Sequence, residues 1–265
     1  MTEQGSERLD DDQVRVRAME WWPTVKEWVA DASKPCVPPA GSALAEDDEQ
    51  TQQLMASSHL ARVSLVMGTD HLLTALGYSF NFGPSLFSMQ TLLRTAMIGG
   101  AQAVWLLSPD DRSIRVDRTT QLARDAYWNQ AMWANTITLE DPGVDPTELT
   151  TVRQTLRELV PGKRGAEVKL GTVIRAAAEY VYASPPDPEI WAECLAEFRH
   201  LSSAAHALPW NISTRAEKQA TELDGHAGTL YLPSWTQLQG ALSFSHAFLE
   251  VGWRLFHERR SPTTE

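Results

Sequence analysis

Arg199 and His206 stand seven positions apart in "AEFRHLSSAAHALPW", residues 196–210. An imidazole titrates near neutral pH and suits proton transfer, so the spacing raises the question of a catalytic pair. On a helix, at about 100° per residue, the two lie two turns apart and nearly in line. Trp191, Cys194, Phe198, Leu201, Ala205 and Leu208 form one apolar stripe beside them. The pair then borders the core, with Ser202 on the same side and His200 turned toward solvent. The same positions also allow a reading without chemistry. Arg199 hydrogen-bonds a helix end or an acid such as Asp70, and His206 caps its own helix ahead of Pro209.

Other chemically able residues point to less. Glu197 and His200 form the single Glu-x-x-His of the chain. Carboxylate-bridged metal sites in helical bundles need two such motifs and two further glutamates, so no metal and no cofactor is expected. His59 and His71 share one long helix but stand too far along it to hold one ion, and Asp70 reads as a polar break. His246, among Leu242, Phe244 and Phe248, reads as a core-edge histidine that could join His206 in a cleft. There is no Gly-x-Ser-x-Gly elbow and no glycine-rich phosphate loop. The ten tryptophans could line a pocket or a partner groove, but on buried helices core packing is their usual role. Arg112, Arg115, Arg118 and Arg124 interleave with Asp110, Asp111, Asp117 and Asp125, a pattern that predicts a solvated, ion-paired face.

The elements that would position these residues are helical throughout. An amphipathic helix is predicted over 10–33, with Val14, Ala18, Trp21, Val25, Trp28 and Val29 on one side and Pro23 kinking or breaking it after Trp22. "KPCVPPAGSALAEDDEQ" (34–50) reads as a Pro-rich linker or wrapping loop. Apolar periodicity predicts one long helix from Glu49 to Phe80. A second, hydrophobic on nearly all sides, begins at Pro84 and runs to Leu107. Within it Gly99 and Gly100, with Ala96, Ala101 and Ala103, would let another helix approach closely. Ser108 or a following aspartate caps a charged helix over 110–137, with Ile114, Leu122, Ala126, Trp133 and Ile137 expected to face inward.

Two shorter helices follow at 146–160 and 164–183, then the helix of the opening stretch and a last one over 233–259. Residues 211–232 read as a flexible or partly helical excursion with a short extended piece at 228–232. The expected fold is all-α, a bundle of six to seven helices with an N-terminal amphipathic helix and a Pro-rich linker. A disordered tail is expected over 1–9, a helix and linker packed on the core over 10–48, and a single bundle domain over 49–260.

Composition narrows the function classes. Of 265 residues, 43% are hydrophobic and 22% charged, which is globular rather than disordered. A formal charge of -11 makes the average surface repel nucleic acid and anionic membranes. Cys36 and Cys194 are too few for a disulfide framework and read as buried thiols. The polar, acidic start lacks the apolar run of a signal peptide, and the apolar stretch 96–107 is too short to span a bilayer. A cytoplasmic protein that does not engage membrane is expected.

Arg199, the polar His200 and His206 resemble the signature of the HEPN superfamily, all-helical proteins of toxin–antitoxin and phage-defence systems. The resemblance implies a metal-independent ribonuclease in which the pair from two subunits meets across a dimer interface. His206 would then be the acid/base, and Arg199 would hold charge building on the phosphate. A broader resemblance is to uncharacterised all-helical bacterial and phage proteins with an "LRTALE…WLL-P" block and an "LS…H" block. Here "LLRTAMIGGAQAVWLLSPDD" (92–111) and "FRHLSSAAHALPW" (198–210) correspond, with Ile98 where that pattern has a glutamate. Three functions stay open. The first is a protein working through contacts with a protein partner or a second copy, through an apolar face flanked by Trp21, Trp22 and Trp28. The others are the ribonuclease, with RNA as its substrate, and a bundle that binds a small molecule in an aromatic pocket.

Overall fold

The run with the fewest polar residues, 88–107, becomes the helix around which the others are arranged. The computed structural model describes residues 9–85, 87–138, 145–160, 167–208, 210, 217–223 and 226–262. In chain order the helices are α1 (Asp11–Ala32), α2 (Ala43–Thr51), α3 (Ser57–Phe82), α4 (Ser88–Leu107), α5 (Arg112–Thr136), α6 (Pro146–Leu159), α7 (Leu170–Val181) and α8 (Pro188–Ala205). Two strands follow, β1 (Glu217–Leu223) and β2 (His226–Leu232), then a short 3-10 turn (Thr236–Leu238) and α9 (Gln239–Arg260). The disordered tail expected over 1–9 lies outside the described residues except for Leu9, which packs half-buried against the core. Among the described residues no helix is long and apolar enough to cross a membrane.

α4 packs chiefly against α3 and α9, and glycine sets the separation. A Cβ on Gly99 would collide with the Ser64 carbonyl and stand 2.9 Å from the Gly68 Cα. One on Gly100 would meet the Leu249 backbone nitrogen at 2.7 Å, and one on Gly252 would meet the Leu65 Cδ2 at 2.9 Å. The three helices therefore touch backbone to backbone, as the glycine and alanine pattern of 96–103 implies. Around this contact Leu65, Leu72, Leu93, Met97, Phe248 and Trp253 are fully or almost fully buried. The indole nitrogen of Trp253 donates to the Thr69 hydroxyl at 3.0 Å.

The C-terminal end of α4 is held by charge. Its last carbonyls have no partner within the helix. Arg118 donates to the Trp105 carbonyl, Arg259 to that of Leu107 at 3.3 Å, and Arg115 and Arg259 to that of Pro109 at 3.0 and 3.2 Å. Arg115 is 4% exposed and also grips the fully buried Asp47 with two hydrogen bonds, 2.7 and 2.9 Å. Removing one partner of such a pair typically costs about 3–5 kcal/mol, because it leaves a charge buried alone. Next to it the buried hydroxyls of Thr51, Ser57 and Thr119 form a chain with links of 3.1 and 3.0 Å.

Several expectations are corrected here. The described residues hold nine α-helices, more than the six to seven expected. One of the unforeseen ones is α2, in the segment read as linker, where the Ser42 hydroxyl accepts from the Ala45 N–H at 3.2 Å and caps it. The predicted long helix from Glu49 is two helices. α2 ends at Thr51, and the Asp48 carboxylate accepts from the Ser58 N–H at 2.9 Å at the start of α3. α5 turns a different face inward. Ile114 is 43% and Trp133 61% exposed, and Ala126 is exposed too. Leu122 is buried and Ile137 half-buried as expected, but the other buried residues are Arg115, Thr119, Ala123 and Ala134, because the first turns of this helix meet a polar knot.

The cationic stripe is ion-paired as expected, with Arg112 on Glu46 and Arg115 on Asp47, and Arg124 is exposed, but Arg115 is buried rather than solvated. Finally, β1 and β2 pair antiparallel, Glu217 opposite Leu232 and Leu223 opposite His226; the extended piece expected at 228–232 lies within β2, while 217–223 is extended too rather than flexible or helical. α1 runs through Pro23 without ending.

The glycine contact gives a direct test. Gly100→Ala should cost about 1–3 kcal/mol by overpacking against α9. Gly171→Ala, whose Cβ would meet only the Leu195 Cδ1 at an ordinary 3.6 Å, should be neutral or stabilising by up to about 1 kcal/mol. Urea denaturation of both variants measures the difference.

Candidate functional site

Three helices line a cleft of about 880 Å³, each through residues that share one face. α1 supplies Arg17 and Trp21, one turn apart. α8 supplies Ile190, Glu193 and Glu197, and α9 supplies Gly240, Ser243 and Ala247. Tyr182, just past α7, and the 3-10 turn complete the lining, with the Tyr182 and Phe244 rings edge to face at 6.2 Å. α1 is pinned over the cleft by Asp11, whose carboxylate accepts from the Thr236 N–H at 2.9 Å and from the Thr236 hydroxyl. Burial pushes the Asp11 carboxyl up, but these hydrogen bonds outweigh it and leave it below the usual value.

Charged and aromatic groups meet inside. Glu197 is 5% exposed, and a Cβ on Gly240 would stand 3.3 Å from its Oε2, so glycine leaves room for that carboxylate. His246 is 8% exposed. Its ring stacks on Trp21 at 4.6 Å and lies 5.3 Å from Trp28, two turns further along the same face of α1. Its Nδ1 is 3.8 Å from the exposed Glu250 carboxylate, while Nε2 has no hydrogen-bond partner among the described residues. Burial lowers the imidazole to about 4, so it is neutral at pH 7. A buried polar atom left unpaired typically costs about 1–3 kcal/mol. Beneath the cleft the buried Cys194 thiol is pushed up to about 12, first by burial and then by Glu193 and Glu197. It is protonated and unreactive at neutral pH.

Arg199 and His206 are both exposed, and neither side chain makes a hydrogen bond or ion pair among the described residues. α8 stops at Ala205, short of the Leu208 that the apolar stripe assumed, and the His206 N–H still donates to the Ser202 carbonyl at 3.1 Å. His206 is the C-cap residue, and Ala207 has φ of 53°. The Leu208 and Ala207 N–H groups bond back to the Ser203 and Ala204 carbonyls at 2.9 and 3.0 Å, closing the helix with a left-handed residue. Ala205 and Leu208 consequently leave the apolar stripe and are exposed, while Cys194, Phe198 and Leu201 keep to it. His200, expected in solvent, is 7% exposed with its ring edge to face with Trp210 at 5.6 Å, because the chain past the helix end covers that side. Asp70 is exposed and does not receive Arg199.

The polar group beside Ser202 is Arg94 instead. Its Nε donates to the Ser202 hydroxyl at 3.0 Å and its guanidinium lies 5.8 Å from the Phe198 ring. This joins the 92–111 and 198–210 blocks, and Ile98 packs half-buried against the core.

The tryptophans expected to flank an oligomer face look inward. Trp21 and Trp28 hold His246, and Trp22 meets Phe80 edge to face at 5.6 Å. Among the described residues the most exposed aromatic side chain, Phe82 at 78%, lies at the end of α3 beside Tyr78. Among the described residues no group of three or more His, Cys, Asp or Glu is placed to hold a metal ion. Comparison with family models, with curated proteins and with solved structures finds no match for this chain. The likenesses in the 92–111 and 198–210 blocks rest on those residues alone.

Reading the sequence missed the cleft. Glu197 was weighed only as a metal ligand with His200, and His246 as a companion of His206. The available signal was Ile190, Glu193 and Glu197 at helical spacing, a second face of α8 next to its apolar stripe.

The imidazole makes stability depend on pH. The unfolded chain takes up a proton at His246 near pH 6.5 and the folded chain near pH 4, so between these values the unfolded state binds more protons. The contribution is complete above pH 6.5 and is lost as the pH falls toward 4, roughly 3 kcal/mol in all. Denaturant melts at pH 7, 5.5 and 4.5 should show a steeper decline in the wild type than in His246→Phe.

Proposed function

We propose that this protein is a small-molecule-binding helical bundle whose site is the cleft between α1, α8 and α9. The observation that carries the reading is a cleft whose three sides bring together aromatic surface from Trp21 and Phe244, the buried Glu197 and the buried His246 ring. Ligand sites are typically clefts of about 300–1,000 Å³ with apolar walls and a few polar groups that fix orientation. The volume of about 880 Å³ falls in that range. Binding is favoured over catalysis because the nearby thiol is inert and no serine, threonine or cysteine of the cleft is hydrogen-bonded to an imidazole among the described residues.

A fragment library screened by ligand-observed NMR tests this. Hits should weaken by about tenfold or more in Ser243→Trp and Ala247→Trp, which fill the cleft from α9, with melting temperatures close to wild type. An absence of hits, or hits indifferent to both substitutions, overturns the reading.

A second reading keeps the Arg199–His206 ribonuclease. Its support is that both side chains are exposed and unpartnered among the described residues, which leaves them accessible to a second copy and to RNA. Purified protein should then cleave single-stranded RNA in the presence of a chelator, and His206→Ala should abolish the cleavage. Equal background from both proteins removes it.

A further inference from the structure

α3 leaves one side uncovered. Val63, Met67, Asp70, Thr74, Tyr78 and Phe82 are exposed and recur every three or four residues, so they share a face. The opposite side carries Leu65, Leu72 and Leu76 into the core. Single apolar residues on a surface are ordinary. Four on one helix stripe, with the Tyr78 and Phe82 rings 5.1 Å apart, make a surface of the kind partners cover. From His59 to Phe82 the stripe is about 35 Å long at 1.5 Å per residue.

The charges on α3 select the partner. Asp70 is its only carboxylate and has no hydrogen bond or ion pair among the described residues. Its one guanidinium, Arg62, is engaged with the Ala32 and Lys34 carbonyls. Beside Asp70, His71 donates from Nδ1 to the Met67 carbonyl at 2.8 Å and keeps Nε2 for another group. A second α3, turned end over end about the point between Asp70 and His71, matches the stripe along its whole length. Asp70 then faces the partner's His71, and Met67 the partner's Thr74. Val63 faces the partner's Tyr78, and His59 the partner's Phe82. Carboxylate meets imidazole, and apolar groups meet apolar or aromatic ones. A parallel pair would instead set carboxylate against carboxylate.

We infer that a second copy of this chain covers this face, the two α3 helices packing antiparallel in an isologous two-fold interface with two Asp70–His71 pairs at its centre. No α3 residue lines the cleft between α1, α8 and α9, so the inference stands or falls apart from the reading of that site.

Sedimentation equilibrium of the full chain tests this at pH 6, where an imidazole is mostly protonated. The wild type should be dimeric at about 100 μM, and Tyr78→Glu, which sets a carboxylate against Val63, should weaken association about tenfold or more. Asp70→Lys and His71→Glu should each weaken it, and the double variant, with the charges exchanged, should recover it. The substituted side chains are exposed or half-buried, so melting temperatures of the monomers should stay close together. A monomer at that concentration, the result expected if a different protein covers the face, overturns the inference. So does a dimer that none of the single substitutions weakens, or a double variant no stronger than the singles.

Discussion

Three helix backbones in contact are the constraint on which the rest of this structure depends. Gly68 on α3, Gly99 and Gly100 on α4 and Gly252 on α9 remove the side chains that would keep these helices at ordinary separation. Close approach lets Leu65, Met97, Phe248 and Trp253 bury fully or almost fully around the crossing. It also fixes the height of α9 along α4, and with it the depth at which Gly240, Ser243 and His246 stand. α8 packs on α4 through Phe198 and Leu201, and α1 reaches α9 through Trp21 and Trp28 on His246. Neither closes fully on the other, and the cleft is the space left between them.

The far end of α4 is organised by polar groups instead. Arg115 and Arg118 from α5 and Arg259 from α9 satisfy carbonyls at one helix end, and Asp47 neutralises the most buried of them. A knot of this kind does little for raw stability, since desolvation offsets much of the attraction. It does fix register: a one-turn slip of α5 would strand Arg115 among apolar neighbours.

Much of this architecture was legible in the sequence. Periodicity found the apolar helices, and the small-residue run at 96–103 announced a close crossing. Legibility failed where the inward face was polar. The periodicity of α5 was read from Ile114 and Trp133, yet Arg115 and Thr119 face in because their partners, Asp47 and Ser57, come from distant segments. The end of α8 was partly legible: the helix closes at His206 ahead of Pro209, as a capping role for that residue implies, but the turn there is made by Ala207 in a left-handed conformation that alanine rarely takes. The cleft needs three helices at once, and its residues 17–21, 182–197 and 236–247 are distant in the chain.

α9 carries a cost in timing. It supplies one side of the central crossing, yet it emerges from the ribosome long after α3 and α4. Until residues 239–260 have been made, the groove around Gly100 lies open and its leucines and methionines face water. The native interior can therefore lock only once α9 has docked on α3 and α4.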